Sequence, residues 1–580
     1  MFFSLSRRLK RSARSVFGWD RLRPEQLKAM RAVMRGRDTL VVMPTGAGKS
    51  AVYQVPGLLL KGPTVVVSPL IALQRDQIQG LLRRKDAAAA AVNSSQSTGQ
   101  NEAVWDRVRA ADIDFLFLAP EQLGRDEVVE QLAAAAPALF VVDEAQCVST
   151  WGHDFRPDYL RLASVIERVG RPPVLALTAS ASAPVRADIV THLGMREVFE
   201  MVTGFDRPNI HLEVLAFQDE ADKHRTVVER VAAEPKPGLL YVATRREAEA
   251  YARELAELGL DAAAYHAGLR GAERSDVHDR FLGGGLDVVV ATSAFGMGVD
   301  KPDVRFVVHA SVPGSLDAYY QEIGRAGRDG QQARAVLAYR PQDLGMQRFF
   351  ASGRPDADTI ARVARTLGSH DAPVPASVLR KETDLTASRL TAVVNLLQQV
   401  RAVRTTDQGE LESLADIGPV EAAEQALRLA DAHQELERSR VDMMRGYAET
   451  TGCRRRFLLG YFGQASEDPC GSCDRCDSAR AVVGARGGGH DRGLLDGTST
   501  GTNAAAEPAP AAATPDHPFV PGTGVRHRRW GLGAVMSEED GRLTILFESV
   551  GYRTLSLTVV QENDLLSVEP VPARARGRVS

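Results

Sequence analysis

Residues 39–50 restrict this chain more than any other stretch. The apolar run Thr39-Leu40-Val41-Val42 passes directly into Met43-Pro44-Thr45-Gly46-Ala47-Gly48-Lys49-Ser50, the order of a strand, a phosphate loop and a helix. Gly46 and Gly48 let backbone N–H groups close around phosphates, Lys49 reaches the outer pair, and the Ser50 hydroxyl can hold Mg²⁺ at a helix N-terminus. The usual Walker spelling begins with glycine where this chain has Met43. Farther on, Leu139-Phe140-Val141-Val142 ends in Asp143-Glu144-Ala145-Gln146, so an apolar strand delivers two carboxylates at its C-terminal end. In P-loop enzymes the first acid holds the Mg²⁺ shell and a neighbouring carboxylate orients or deprotonates the attacking water. Asp143 and Glu144 are the candidates for those roles, with ATP and Mg²⁺ as the expected cofactors.

A chain of 580 residues, 44% of them hydrophobic, can bury several cores, and its length suggests three or four domains. The net charge is only −3, so a nucleic-acid channel has to be a local basic patch balanced by acids elsewhere. No apolar run approaches membrane-spanning length, and residues 1–16 are basic without the apolar core of a signal peptide. The expectation is a soluble, cytoplasmic protein with no membrane partner. Of five cysteines, Cys453, Cys470, Cys473 and Cys476 cluster within one short stretch. Clustered thiols in a reducing compartment read as tetrahedral Zn²⁺ ligands, two disulfides being the competing reading. Cys147 is left over and reads as a packed small residue.

Other segments carry more specific chemistry. Phe17 to Gln26 reads Phe-Gly-Trp-Asp-Arg-Leu-Arg-Pro-Glu-Gln, Val67 to Gln77 reads Val-Ser-Pro-Leu-Ile-Ala-Leu-Gln-Arg-Asp-Gln, and Leu177-Thr178-Ala179-Ser180-Ala181 closes a further apolar run. Cys147 to Tyr159 reads Cys-Val-Ser-Thr-Trp-Gly-His-Asp-Phe-Arg-Pro-Asp-Tyr. There Trp151, Phe155 and Tyr159 offer stacking faces with Arg156 between them, as sequence-tolerant binding of a single strand requires; an aromatic cluster in the core is the bland alternative. The second half adds Gly238 to Arg245, Tyr265-His266-Ala267-Gly268-Leu269, the Val-rich Asp287 to Asp300, and Gln321 to Gly330. Val-rich runs ending in small residues are what strands covered on both faces look like. Arg325 and Arg328, three apart, can reach across a domain cleft to a γ-phosphate.

Taken together, these segments from about residue 15 to residue 476 resemble the RecQ family of superfamily-two DNA helicases. The resemblance implies that Trp19 stacks on adenine beside Arg23, that Gln26 reads the base edge, and that Thr45, Gly46, Gly48, Lys49, Ser50 and Asp143 hold ATP and Mg²⁺. It makes Lys49, Asp143, Glu144, Arg325 and Arg328 catalytic, with Arg328 as the arginine finger. Ser68, Trp151, Phe155, Arg156 and His266 would meet DNA, and Gln146 with Thr178 would couple the two sites. RecQ proteins commonly carry His where this chain has Gln146; a glutamine still bridges hydrogen bonds but holds no positive charge. The text around the clustered cysteines also resembles the RecQ zinc module.

The expected fold is α/β. Two tandem RecA-like domains with parallel sheets occupy 1–205 and 206–345, and a helical zinc-binding module follows at 346–480. Within that module the periodicity of Ala387 to Val400 and the flanking short strands suggest a winged-helix insertion at about 372–415. A Gly-, Ala-, Thr- and Pro-rich flexible linker is expected at 481–518, an all-β barrel at 519–570 and a tail at 571–580. The barrel resembles the SH3/Tudor-like barrels of superfamily-one repair helicases, which implies a protein partner such as RNA polymerase or a repair protein. Arg526, His527, Arg528 and Arg529 suit phosphate equally well. The whole resemblance implies a DNA-stimulated ATP hydrolase that moves 3′ to 5′ on single-stranded and forked DNA in repair and recombination. An RNA helicase or protein-stripping translocase is one alternative, and a non-catalytic scaffold recruited through the barrel is another.

Overall fold

The computed structural model describes residues 2–569 other than 70, 85–86, 94–95, 150–155, 297–298, 346, 348–354, 407–408, 415–416, 465, 467–468, 488–516 and 540. The first sheet contains β1 (Thr39–Val42), β2 (Thr64–Val67), β3 (Ala89–Val92), β4 (Phe115–Leu118), β5 (Leu139–Val142), β6 (Val174–Thr178) and β7 (Phe199–Val202). Its order is β3-β4-β2-β5-β6-β1-β7, parallel throughout. Most of these strands are buried end to end, because helices cover both faces. The helix Phe2–Phe17, unforeseen in the sequence, packs Leu9, Ala13 and Phe17 into the same core.

Strand order decides what meets at the rim. β6 lies between β1 and β5, so Thr178 at its end stands between the phosphate loop and the acidic pair. Ligands of open α/β sheets bind at this C-terminal rim.

The second sheet contains β8 (Ile210–Ala216), β9 (Gly238–Tyr241), β10 (Ala262–Tyr265), β11 (Val288–Ala291), β12 (Phe306–His309) and β13 (Ala333–Tyr339), in the order β10-β11-β9-β12-β13-β8 and again parallel. Its edge strand β8 does not stay bare. The Leu212 N–H donates to the Ser472 carbonyl at 3.3 Å and Leu212 forms a bridge with Cys473, so the cysteine loop covers an edge that could otherwise pair with another chain.

Helices Ala357–Gly368, Ala376–Thr383 and Ala387–Gln399 lead into the antiparallel hairpin β14 (Val403–Thr405) and β15 (Leu411–Ser413), with Val374 bridging Leu411. This helix-helix-helix-ribbon order is the one expected of a winged helix. Its core holds Ile360, Leu379, Leu397 and Ala426, so the unit starts ahead of residue 372 and borrows the first half of the 31-residue helix Pro419–Glu449. The helix Asp474–Gly487 runs into the stretch expected as linker, whose residues 488–516 lie outside the described ones.

The C-terminal unit holds β16 (Gly524–His527), β17 (Gly531–Glu539), β18 (Arg542–Phe547), β19 (Gly551–Ser556) and β20 (Leu566–Val568), antiparallel in the order β19-β18-β17-β16-β20. The sequence suggested a module merely tethered to the motor; the structure shows a docked one. Neighbouring residues point to opposite faces of a strand, and here both faces are apolar. Val535 and Ile545 fill the barrel core, whereas Met536, Leu546 and Tyr552 join the core that runs through the motor and the cysteine module. Tyr552 stacks on Tyr461 with ring centres 4.9 Å apart, and its N–H donates to Ser439 Oγ at 3.0 Å. Arg553 pairs with Glu435 at 3.0 Å and Arg456 with Glu539 at 2.7 Å. Gly551, at φ +68°, takes a conformation that side chains resist, and Ser439 fills the space a Cβ would need. Among the described residues, no helix is long and apolar enough to cross a membrane.

Docking through two buried tyrosines makes the barrel a bound part of the body. With a protease site inserted between residues 488 and 516, the cut barrel should still co-elute with the rest of the chain, and Tyr552→Ala should release it. Separation of the cut parent on gel filtration would show that the interface does not hold.

Candidate active site

A cleft of about 550 Å³ opens between the two sheets, lined by Trp19, Lys49, Asp143, Glu144, Asp300 and Arg328 among others. The phosphate loop keeps its shape through glycines at positive φ. Gly46 and Gly48 both sit at +80°, and a Cβ on Gly48 would lie 2.6 Å from Gln26 Nε2. Gln26 Nε2 donates to the carbonyls of Ala47 and Gly48, both at 3.1 Å, while its Oε1 accepts the Arg23 N–H at 2.9 Å. In this conformation Gln26 therefore pins the loop, and its edge is not turned toward a base. Trp19 stacks on Phe17 at 4.5 Å and lines the cleft, whereas Arg23 lines a second hollow of about 650 Å³ on the other side of the loop.

Lys49 Nζ donates to the Met43 carbonyl at 3.2 Å. Burial pushes its pKa down, and the carboxylates of Glu144 and Asp143 oppose that shift. Asp143 is 6% exposed, and its carboxyl is pushed up to about 6 by burial first and by Glu144 second. Gln77 Nε2, 3.4 Å from Asp143 Oδ2, holds the group in place and is itself held by the Tyr53 hydroxyl at 2.8 Å. Glu144 takes a left-handed conformation at φ +49°, a backbone strain that non-glycine residues rarely carry.

The two residues read from sequence as couplers meet. Gln146 Nε2 donates to Glu144 Oε2 at 2.9 Å, and its Oε1 lies 2.6 Å from Thr178 Oγ1. The amide has to face this way, because turning its oxygen toward Glu144 would oppose two acceptors.

From the second sheet, Arg328 reaches across the cleft. Its Nη1 donates to Asp300 Oδ1 at 2.6 Å and to the Val299 carbonyl at 2.7 Å, and its aliphatic stem packs against Gly46 at the 2.9 Å a Cβ there would see. Burial lowers its pKa to about 10. Arg325 is buried beside the Tyr241 phenol. Arg207, which the sequence reading missed, donates to Thr45 O at 3.2 Å, Gly324 O at 3.1 Å, Ala326 O at 2.7 Å and Gly327 O at 3.2 Å. One guanidinium thus ties the phosphate loop to the arginine loop. Nothing local in Asp206-Arg207-Pro208 marks that task.

Several residues expected to face DNA lie inside the fold in this conformation. Ser68 is fully buried and His266 is 3% exposed with Nε2 3.2 Å from Glu249, so neither offers a group to a strand in this conformation. Tyr159 is a core residue, not a stacking face; its hydroxyl donates to the Asp143 carbonyl at 3.4 Å. Arg156 donates to the Pro69 carbonyl at 3.0 Å, which ties the segment after the acidic pair to the loop after β2. Trp151 and Phe155 lie outside the described residues.

At the far end of the body the four sulfurs of Cys453, Cys470, Cys473 and Cys476 all lie within 4.8 Å of one another. A tetrahedral Zn²⁺ with bonds of about 2.3 Å separates its sulfurs by about 3.8 Å, and Cys470 Sγ and Cys476 Sγ are 3.9 Å apart. Thiol hydrogen bonds from Cys470 and Cys473 favour a Cys453 thiolate, and that bond in turn raises the Cys470 thiol; four thiolates need a cation to coexist. Backbone N–H groups of Cys470 and Ser472 point at the sulfurs of Cys453 and Cys470 at 3.4 and 3.3 Å. The donor set and spacing fit Zn²⁺, and the disulfide reading has no place.

Two parallel sheets, a phosphate loop and an arginine loop facing each other across one cleft define a two-domain nucleotide-driven motor. The DEAD/DEAH box helicase family profile matches residues 23–188, the helicase conserved C-terminal domain 222–330, RecQ zinc-binding 413–477, and a protein family of unknown function (DUF3553) 519–563. The probable ATP-dependent DNA helicase RecS of Bacillus subtilis is 35% identical over 471 residues, 81% of this chain and 91% of that protein. The ATP-dependent DNA helicases RecQ of Haemophilus influenzae and B. subtilis are 32% and 33% identical over 80% of this chain, which spans 62% and 66% of their lengths. The chain belongs to the RecQ family and is an ATP-dependent helicase that uses ATP, Mg²⁺ and Zn²⁺.

Two predictions follow from the buried charges. Asp143 titrates near 6 when folded against 3.8 ordinarily, so the stability it gains by protonation is complete below about pH 4 and lost as the pH rises through 6. Without nucleotide or Mg²⁺, Asp143→Asn should be more stable than the parent at pH 7.5, by up to about 3 kcal/mol, and the gap should narrow toward pH 5. Equal denaturation midpoints at pH 7.5 would count against a buried charge. Metal analysis should find about one zinc per chain, and Cys473→Ala should lose it together with the cover on β8.

Proposed function

We propose that the protein is a DNA-stimulated ATPase that moves 3′ to 5′ along single-stranded DNA and opens forked duplexes in repair and recombination, in the cytoplasm. One observation supports this coupling above all. The path Glu144–Gln146–Thr178 links the acid at the cleft to the strand end between the two nucleotide motifs, and Arg156 links the segment just after it to the loop following β2.

Bound ATP and Mg²⁺ supply the phosphoryl group and the metal that offsets its charge. The loop N–H groups, Thr45, Gly46, Gly48, Lys49 and Ser50 would hold the phosphates, with Trp19 toward the base and Asp143 toward the metal; Arg23, which lines the hollow on the other side of the loop, would have to turn into the cleft to meet the nucleotide. Glu144 orients the attacking water and takes its proton. Lys49 on one wall and Arg328 on the other meet charge that develops between them, with Arg325 in support. Arg207 makes loop position depend on where the second domain stands. Trp151, Phe155 and Arg156 bind the strand, and Gln146 reports its presence to Glu144. A protein partner such as RNA polymerase would have to use the barrel's outer face, since Met536, Leu546 and Tyr552 are covered.

The test is ATP turnover with single-stranded DNA and with RNA, together with unwinding of 3′- and 5′-tailed forks. DNA should stimulate and the 3′-tailed fork should open. Lys49→Ala should lose turnover by orders of magnitude, and Gln146→Ala should keep basal turnover while losing most stimulation, with Gln146→His retaining it. Equal stimulation by RNA, or full stimulation in Gln146→Ala, would overturn the DNA assignment or the relay respectively.

A further inference from the structure

We propose that the barrel turn Arg528-Arg529-Trp530 is a second binding site for the nucleic-acid strand, with the arginines on phosphate and Trp530 under a base. The proposal rests on the DNA-helicase reading. Docking of the barrel supplies the frame: Tyr552 on Tyr461 and Arg553 on Glu435 fix it against the helices that follow the motor.

The turn itself is built rigidly. Trp530 stacks on His527 with ring centres 4.1 Å apart and meets Phe547 edge-on at 5.3 Å. His527 Nδ1 accepts the N–H groups of Arg529 and Trp530, both at 3.2 Å, and Ser549 Oγ donates to the Trp530 carbonyl at 2.7 Å. Trp530 remains partly exposed, while Arg528 and Arg529 are exposed and have no carboxylate within ion-pair distance among the described residues. Their neighbour Arg526 is paired, with Glu569 at 2.7 Å. Two uncompensated guanidinium groups flanking an aromatic face are what single-strand binding uses, with stacking on any base and charge on any phosphate.

Position favours nucleic acid over a protein partner. Burial raises the Asp188 carboxyl of the first domain, with a smaller contribution from the nearby Glu548, which is next to Ser549, and Asp188 Oδ2 accepts the Ser149 hydroxyl at 2.8 Å. Ser149 is the last described residue before 150–155, which include Trp151. The side of the barrel that carries the turn, held through Ser549 to the Trp530 carbonyl, therefore faces Asp188 and Ser149 of the first domain. Glu548 itself sets the limit of the positive surface on that side, so a strand would pass over Arg528 and Arg529 rather than over the Glu548–Asp188 seam.

The full-length chain tests this with fluorescein-labelled oligo(dT) across a salt series. Arg528→Ala/Arg529→Ala should melt at the parent's temperature, since both side chains are exposed, yet bind more weakly, with a slope of log K against log salt smaller by about 1.4 for two lost contacts. Unlabelled oligo(dT) should quench tryptophan emission in the parent, and Trp530→Phe should remove part of that quench. Unchanged slope and unchanged quench would overturn the proposal and leave the turn to an acidic protein. Absence of any DNA-stimulated turnover in the parent would instead fell the helicase reading on which it rests.

Discussion

Lys49, Asp143 and Arg328 line one cleft, and burial moves each of them toward its neutral form. Such charges persist only when opposite charges stand close by. Much of the architecture follows from that demand. The phosphate loop and acidic pair sit on strands separated only by β6, and the second domain must come near enough for Arg328 to lie over Gly46. Arg207 holds that approach with four carbonyl contacts from one side chain, at some desolvation cost that lowers its own pKa. A polyanion entering the cleft changes this balance on both walls at once, which is a physical reason for domain position to answer to nucleotide state.

The legibility of the chain divides along the range of the interactions. Lys49, Asp143, Glu144 and the four cysteines could be found from sequence because local order, strand then loop or paired thiols, already states their chemistry. Gln146 and Thr178 were also found as a pair, and β6 between the two motifs explains why they touch. Arg207 was missed because its four acceptors come from loops far along the chain. Tyr159 was misplaced for a related reason: a polar aromatic near Gly and Pro looks exposed, but its hydroxyl had a buried partner in the Asp143 carbonyl. Ser68 and His266 show the same limit. Placing a residue at a strand end tells nothing of which way its side chain turns.

The zinc module is more than a stapled loop. A buried chain of contacts leads from the arginine loop to it: Glu322 to His309 at 2.8 Å, His309 against Tyr319, Tyr319 to Tyr447 at 3.2 Å, and Arg454 from the Tyr447 carbonyl at 2.8 Å to Asp474 at 2.6 Å. His309, Tyr319, Tyr447 and Arg454 are buried, with Glu322 and Asp474 partly exposed at the two ends, so a polar group left without its partner in the middle of it costs more than a surface one would. Asp474 follows Cys473 directly, which makes the metal knuckle the far anchor of this chain.

The barrel changes how the distal parts of the molecule should be understood. A module on a tether adds local concentration and nothing else, whereas this one shares a core with the motor. Tyr461 is the joint: it stacks on Tyr552 of the barrel, and its hydroxyl donates to Asp317 in the helix that precedes the arginine loop. The helix Leu316–Ile323 carries Asp317 at its start and Glu322 near its end. Barrel and zinc knuckle therefore grip opposite ends of one helix, and that helix leads directly into Arg325 and Arg328. Any force that shifts the barrel is passed, through two stacked rings and one hydrogen bond, to the element that places the arginines over the phosphate loop.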